Sequence, residues 1–230
     1  MIAAVVNGLA VVLCGLIGLA LGGRLKQTHV QTVVAGLGIC TMVIGITGAI
    51  ETSNILIVIL SLVFGTVLGE LLKIEQRLDA LGDWLKARVA RKGGGRFTEG
   101  FVTASLLFCV GSMAIMGSFD AGIRGDYTTI FAKTAMDGVM AVTFAATMGV
   151  GVLFSGAAIL IYQGALTLLA GVVEPWLTAQ MITEISAVGG ILLLATGMNI
   201  LDLPQKRIRV GNMLPAMVLP AIYFAVSGTL

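Results

Sequence analysis

Charge is what this sequence has least of. Only 14 Lys and Arg and 12 Asp and Glu are spread over 230 residues, whereas about a quarter of a soluble domain is charged. So little charge cannot coat a globule in water, which excludes a soluble enzyme and a disordered segment. The formal net charge is only +2, so no broad field draws in polyanions and no nucleic-acid partner is expected. Histidine is nearly missing: His29 alone can build neither a histidine metal cluster nor a conventional catalytic triad. The three cysteines, Cys14, Cys40 and Cys109, stand far apart in apolar runs without CxxC spacing. They read as small core hydrophobes, so neither a disulfide nor a metal is expected. HExxH, GxSxG and phosphate-loop motifs are missing too, and no cofactor is implied.

What is present is apolar surface and glycine. Apolar residues make up 57% of the chain and 31 residues are glycine, a composition that points to helices packed in lipid. Met1 to Gly22 is apolar from its first residue, with Arg24 and Lys26 behind it. A secretory signal carries its positive charge ahead of the apolar core, so this stretch reads as a first crossing with its amino end outside. Further crossings are expected at 32–50, 55–72, 101–116, 133–149, 153–173, 185–200 and 211–228. The two in the middle come from a run without charge between Gly138 and Val173 that is too long for one crossing and has Gly149 and Gly151 near its centre. The expected fold is therefore an all-α polytopic membrane protein of about eight transmembrane helices. The alternative is seven plus a re-entrant segment within 133–173.

Basic residues orient it. Eight crossings with both termini outside leave only Arg124 and Lys133 of the basic residues on the outer side, a strong positive-inside bias. From Lys73 to Arg96 charges recur while Ile74, Leu78, Leu81, Leu85 and Val89 keep helical spacing beside Trp84. That pattern predicts a cytoplasmic amphipathic helix lying on the membrane surface. Gly93-Gly94-Gly95 then marks a boundary between halves 1–95 and 96–230 of one integral membrane domain. Span, short polar loop and span, as in Gly36 to Leu72, recur in Gly189 to Phe224. Under this topology the two copies run in opposite senses, the form of an inverted repeat.

Polar residues inside lipid need a partner, a watery cavity or a function. They concentrate between Gly111 and Gly164. Ser112, Ser118 and Asp120 follow glycines at a helix end, where loosened backbone and a carboxylate can line a solute or cation site. Asp126 reads as an exposed turn. Asp137 sits four residues after Lys133 on the same helical face; the two form either a wet surface pair or a buried carboxylate with Lys133 as counter-ion. Gln163 lies mid-span, where an amide needs an inter-helix hydrogen bond or a substrate. Asn199 ends the seventh span, while Glu51, Glu70, Glu174 and Glu184 fall at span ends and read as solvated. The candidate ion- or solute-binding set is therefore Ser112, Ser118, Asp120, Lys133, Asp137, Gln163 and Asn199. Asp137 and Asp120, with Ser112, Gln163 and Asn199, are expected to border one polar cavity open to the outer side. Gly18 with Gly22, and Gly65 with Gly69, form small-residue stripes for close helix packing, within the chain or across a homodimer. Met113 and Met116 have no Cys or His beside them and read as gap-fillers.

From Cys109 to Ala170 the sequence resembles a family of bacterial inner-membrane proteins, domain of unknown function 554, the YqgA/YdfK type. The residues that carry the likeness are Gly111-Ser112-Met113-Ala114-Ile115 with Gly117-Ser118, Gly125-Asp126, Lys133 with Asp137-Gly138, Gly149-Val-Gly151-Val with Ser155, and Tyr162-Gln163-Gly164. The resemblance implies a polytopic protein of the bacterial inner membrane and says nothing of substrate.

Residues and resemblance together lead to three functional readings. The first is a small secondary transporter or channel-like carrier of a small polar solute or ion, with the lipid bilayer as its surroundings. The alternative is a structural or regulatory membrane protein acting through the 73–96 helix. A membrane-embedded enzyme using Asp120 and Asp137 has no supporting motif, and the chain is not expected to be one.

Overall fold

The computed structural model describes residues 1–22, 27–89, 96–109, 112–173 and 178–227. Arg24, Lys26, Arg91, Lys92, the Gly93-Gly94-Gly95 linker and Glu174 lie outside the described residues. So do the side chains of Leu81, Leu85, Lys86, Arg88, Val89 and Ser112. Among the described residues every regular element is helical: α1 (Ile2–Gly22), α2 (Gln27–Ile50), α3 (Ile55–Leu72), α4 (Ile74–Val89), α5 (Phe97–Cys109), α6 (Ser112–Phe119), α7 (Thr128–Met148), α8 (Gly151–Val173), α9 (Ala179–Ile200), α10 (Val210–Met213) and α11 (Leu219–Ser227). A π-helical turn, Asp120–Arg124, extends α6, and a 3-10 turn, Leu214–Met217, joins α10 to α11.

Among the described residues six helices are long and apolar enough to cross a membrane, or seven if the pair Phe97–Cys109 and Met113–Arg124, bent by 58°, forms one crossing. The expected eighth, at 133–149, exists as the 21-residue α7. Its Lys133, Asp137 and five threonines dilute its apolar content, so it does not pass as a crossing on composition. Where a turn was expected in the neutral run, α7 ends at Gly149. That residue takes φ 85°, a backbone conformation open to glycine and strained for other residues.

The chain divides into two compact units, and each takes helices from both sides of residue 95. The first is built from α1, the start of α2, most of α4, α5, most of α6, α7 and α8. Within it α1 buries a stripe of mostly small residues, Ala3, Ala4, Asn7, Gly8, Val11, Gly15 and Gly18, and turns Leu9, Leu13 and Ile17 outward, each more than half exposed. Small residues inward and large apolar residues outward is how helices pack when lipid, not water, surrounds them. Gly18 and Gly22 press on the backbones of Val142 and Ala146, and Gly138 faces Cys14. That constant offset makes α1 and α7 parallel. Gly8 meets Gly156, where an added Cβ would stand 2.9 Å from the carbonyl oxygen, and Gly15 meets Leu153, so α8 runs antiparallel to α1. The Phe97 ring packs at 5.4 Å against that of Phe154, tilted by 54°, joining α5 to α8.

The second unit contains the carboxyl-terminal part of α2, with α3, α9, α10 and α11. Gly45 of α2 faces Leu194 of α9 and Gly38 faces Leu201 at the end of that helix, while Gly65 and Gly69 of α3 face Ala216 and Asn212. Both pairings are antiparallel, the opposed directions that the repeated span–loop–span pattern anticipates. All four stripe glycines, Gly18, Gly22, Gly65 and Gly69, are thus taken up inside the chain, which leaves neither stripe open to a second copy. Glu184 corrects an expectation. It is fully buried rather than solvated, because α9 begins at Ala179, six residues before the expected start, and draws Glu184 into its second turn. There its carboxylate accepts the Thr52 hydroxyl at 2.5 Å and the Ser53 and Asn54 N–H groups at 2.8 and 3.0 Å. It thereby ties down the loop from which Asn54 caps α3. The start of α4 is anchored too: Glu75 accepts the Gly211 N–H at 2.6 Å and donates its own N–H to the Asn212 amide oxygen at 2.7 Å.

Overpacking the α1–α7 seam tests this arrangement. Gly18→Leu should cost about 1–3 kcal/mol, whereas Leu13→Ala on the outward face should stay within about 0.5 kcal/mol. Thermal unfolding of the purified protein in detergent separates the two.

Candidate functional site

Three helices of the first unit each contribute polar side chains to one buried cluster. On α7, Lys133 and Asp137 stand one helical turn apart on the same face. The Lys133 ammonium lies 2.8 Å from both carboxylate oxygens of Asp137, and the two side chains are only 9% and 5% exposed. The open alternative between a wet surface pair and a buried one is thereby resolved for the buried pair. A charge in so dry a place is tolerated only when paired and hydrogen-bonded.

Asn7 of α1 completes the arrangement. Its Nδ2 donates to Asp137 Oδ2 at 3.1 Å and to Gln163 Oε1 of α8, also at 3.1 Å. Both amide hydrogens are then used, and one short side chain bridges three helices. The reach is possible because Gly8, the next residue, lets α1 lie directly on α8 at Gly156. Asn7 and Gln163 are completely buried. Two of their polar atoms, Asn7 Oδ1 and Gln163 Nε2, have no hydrogen-bond partner among the described residues.

The other expected site residues are placed differently. Ser118 is buried, and its hydroxyl donates to the Ala114 carbonyl one turn back at 2.7 Å. Asp120, in the π turn, reaches Arg124 at 3.3 Å with its side chain 22% exposed; its carboxylate therefore looks to its own turn, not to Lys133. Asp126 is exposed as expected, and the Thr128 hydroxyl and N–H beside it hold its carboxyl below the ordinary value. Asn199 belongs to the second unit, where its amide grips the Ile208 peptide from both ends at 2.8 and 2.9 Å; that pins the loop after α9. The set gathered in space is thus Asn7, Lys133, Asp137 and Gln163, and it is closed, since none of the four side chains opens broadly to the surface. Asn7 was not among the expected residues. The signal was there: a lone amide inside an apolar helix, the argument that singled out Gln163. Among the described residues no group of three or more His, Cys, Asp and Glu gathers to hold a metal ion.

The arrangement can hold a neutralised ion pair in a fixed pose and present a spare acceptor and a spare donor beside it. Removing one charge strands the other. Asp137→Leu should therefore cost about 3–5 kcal/mol, while the double change Lys133→Met with Asp137→Leu should recover most of that loss. A double-mutant cycle on unfolding in detergent reads the coupling.

Comparison with known proteins agrees with the likeness seen in the sequence. The family model described as protein of unknown function (DUF554) matches residues 2–225. The chain is 28% identical over 226 residues to the uncharacterized membrane protein YdfK of Bacillus subtilis (strain 168), covering 96% of this chain and 95% of that one. It is 31% identical over 218 residues to the uncharacterized protein YqgA of Escherichia coli (strain K12), covering 93% and 92%. No solved structure matches.

Proposed function

We propose, from the premise that this chain belongs to the DUF554 family of membrane proteins of unknown function, that it is a small secondary transporter or channel-like carrier of a small polar solute or ion. One observation supports the reading above the rest: a fully buried, charge-bearing cluster on three packed helices whose outward faces are apolar. Helices in lipid rarely keep a lysine and an aspartate inside without using them, because ionisable groups there are expensive to hold. A carrier has that use, a polar station between the two sides of the bilayer.

In this reading α7 is a crossing despite its composition, since the pair that dilutes it faces α1 and α8 rather than lipid. Counted so, with the bent α5–α6 pair and the broken carboxyl-terminal helix as one crossing each, the chain crosses eight times. The parallel run of α1 with α7 and the antiparallel runs of α2 with α9 and α3 with the last segment suit that alternation. The excess of Lys and Arg in the loops then assigned to the cytoplasm supports a bacterial inner membrane with both termini outside. No enzymatic step is proposed, and a homodimer would need a contact other than the two glycine stripes. A scaffold acting through α4 draws less support, because Glu75 anchors the start of that helix within the fold.

The test is thermal stabilisation of the purified protein across a panel of ions and small metabolites. At least one compound should raise the unfolding temperature in a concentration-dependent way. The shift should vanish in Asp137→Asn and in the charge-free pair Lys133→Gln with Asp137→Asn. A panel without any response, or a response unchanged in both variants, refutes the proposal.

A further inference from the structure

The charges of the cluster cancel within it. Lys133 closes on both oxygens of Asp137, and Asn7 donates to one of them again. A cation entering here must displace an ammonium, and an anion must displace a carboxylate. What remains without a partner among the described residues is not a charge but a pair of unlike hydrogen-bonding atoms, Asn7 Oδ1 as acceptor and Gln163 Nε2 as donor. Asp137 dictates that polarity. Its carboxylate accepts the Asn7 NH2, which turns the Asn7 oxygen away. The same NH2 then takes the Gln163 oxygen at 3.1 Å, which leaves the Gln163 NH2 free. Reversing either amide would set like atoms against each other. Two amides sharing one hydrogen bond keep these free atoms within roughly 8 Å of each other. A solute of a few heavy atoms spans that distance. Both atoms are buried, where an unmade hydrogen bond is costly.

We propose that Asn7 Oδ1 and Gln163 Nε2 form the recognition site for a small solute without net charge that carries a donor and an acceptor together, the urea, carboxamide and polyol class. The Lys133–Asp137 pair stays closed and fixes the orientation of Asn7. This assignment rests on the carrier reading and narrows it from any polar solute or ion to a neutral one.

The test uses the full chain reconstituted in lipid vesicles, with stopped-flow light scattering as the readout. Three planar probes of nearly the same shape differ in charge: urea is neutral, guanidinium is a cation and nitrate is an anion. Urea should enter faster than in protein-free vesicles while guanidinium and nitrate do not. Gln163→Met should cut the protein-dependent urea rate about tenfold, the worth of one hydrogen bond at a buried site. The three-probe contrast is read on the unaltered protein, so it stands even if Gln163→Met fails to fold. Entry of guanidinium or nitrate without urea would overturn the neutral assignment and leave the carrier reading intact. Entry of none of the three, by protein shown to be folded by its thermal transition, would overturn both. A urea rate unchanged in a folded Gln163→Met protein would overturn the assignment to this pair of amides.

Discussion

The structure of the first unit depends on one side-chain amide, the NH2 of Asn7, which holds three helices by donating once to Asp137 and once to Gln163. In water such bonds would be exchanged cheaply for solvent. Between apolar helices no solvent competes, and a carboxylate left bare would be intolerable. Lys133 supplies the compensating charge, and Asn7 supplies the bond that ties this pair to α1 and α8. The bulk of the unit is shaped to let that happen. Small residues on α1 bring its backbone against α7 and α8, and only at that separation does a side chain as short as asparagine reach both neighbours.

The second unit solves the same problem by another device. Its buried carboxylate, Glu184, bonds a hydroxyl and two backbone N–H groups of the loop before α3. The Asn212 amide oxygen in α10 accepts the Glu75 N–H at the start of α4, and the Glu75 carboxylate takes the Gly211 N–H. These groups are spent on helix ends and loops, the termini whose N–H groups lack intrahelical partners. The two units therefore differ in kind. In the second, the buried carboxylate of Glu184 is saturated by the loop it holds; in the first, the ion pair is saturated and two amide atoms beside it are left over among the described residues. That contrast is the reason to look for function around Asn7 and Gln163 and not around Glu184.

Much of the fold was legible from periodicity and charge. The bounds of α3 and the break at Gly149 follow from apolar runs ended by Asn54 and by glycine, which act locally. Asp137 and Gln163 were legible because polar groups within apolar runs stand out against the cost of burying them. What was not legible depended on partners distant in sequence. Asn7 passed unnoticed in a helix apolar everywhere else, and its role needs residues 130 and 156 positions away. Glu184 was misread because its solvation was judged from an expected helix start six residues too late. Asp120 and Asn199 carry the right chemistry for a binding site, but nearer groups, Arg124 and the Ile208 peptide, claim them. Local sequence cannot tell which of two acceptable partners wins.

The central claim is met most directly by solid-state NMR on isotope-labelled protein in lipid bilayers, reading through-space transfer from the Asn7 side-chain nitrogen. Correlations to both the Asp137 carboxyl carbon and the Gln163 carboxamide carbon are predicted, with the Asn7 NH2 shielded from exchange with water. An Asn7 side chain that correlates with neither carbon, or whose NH2 exchanges freely with solvent, would contradict the account.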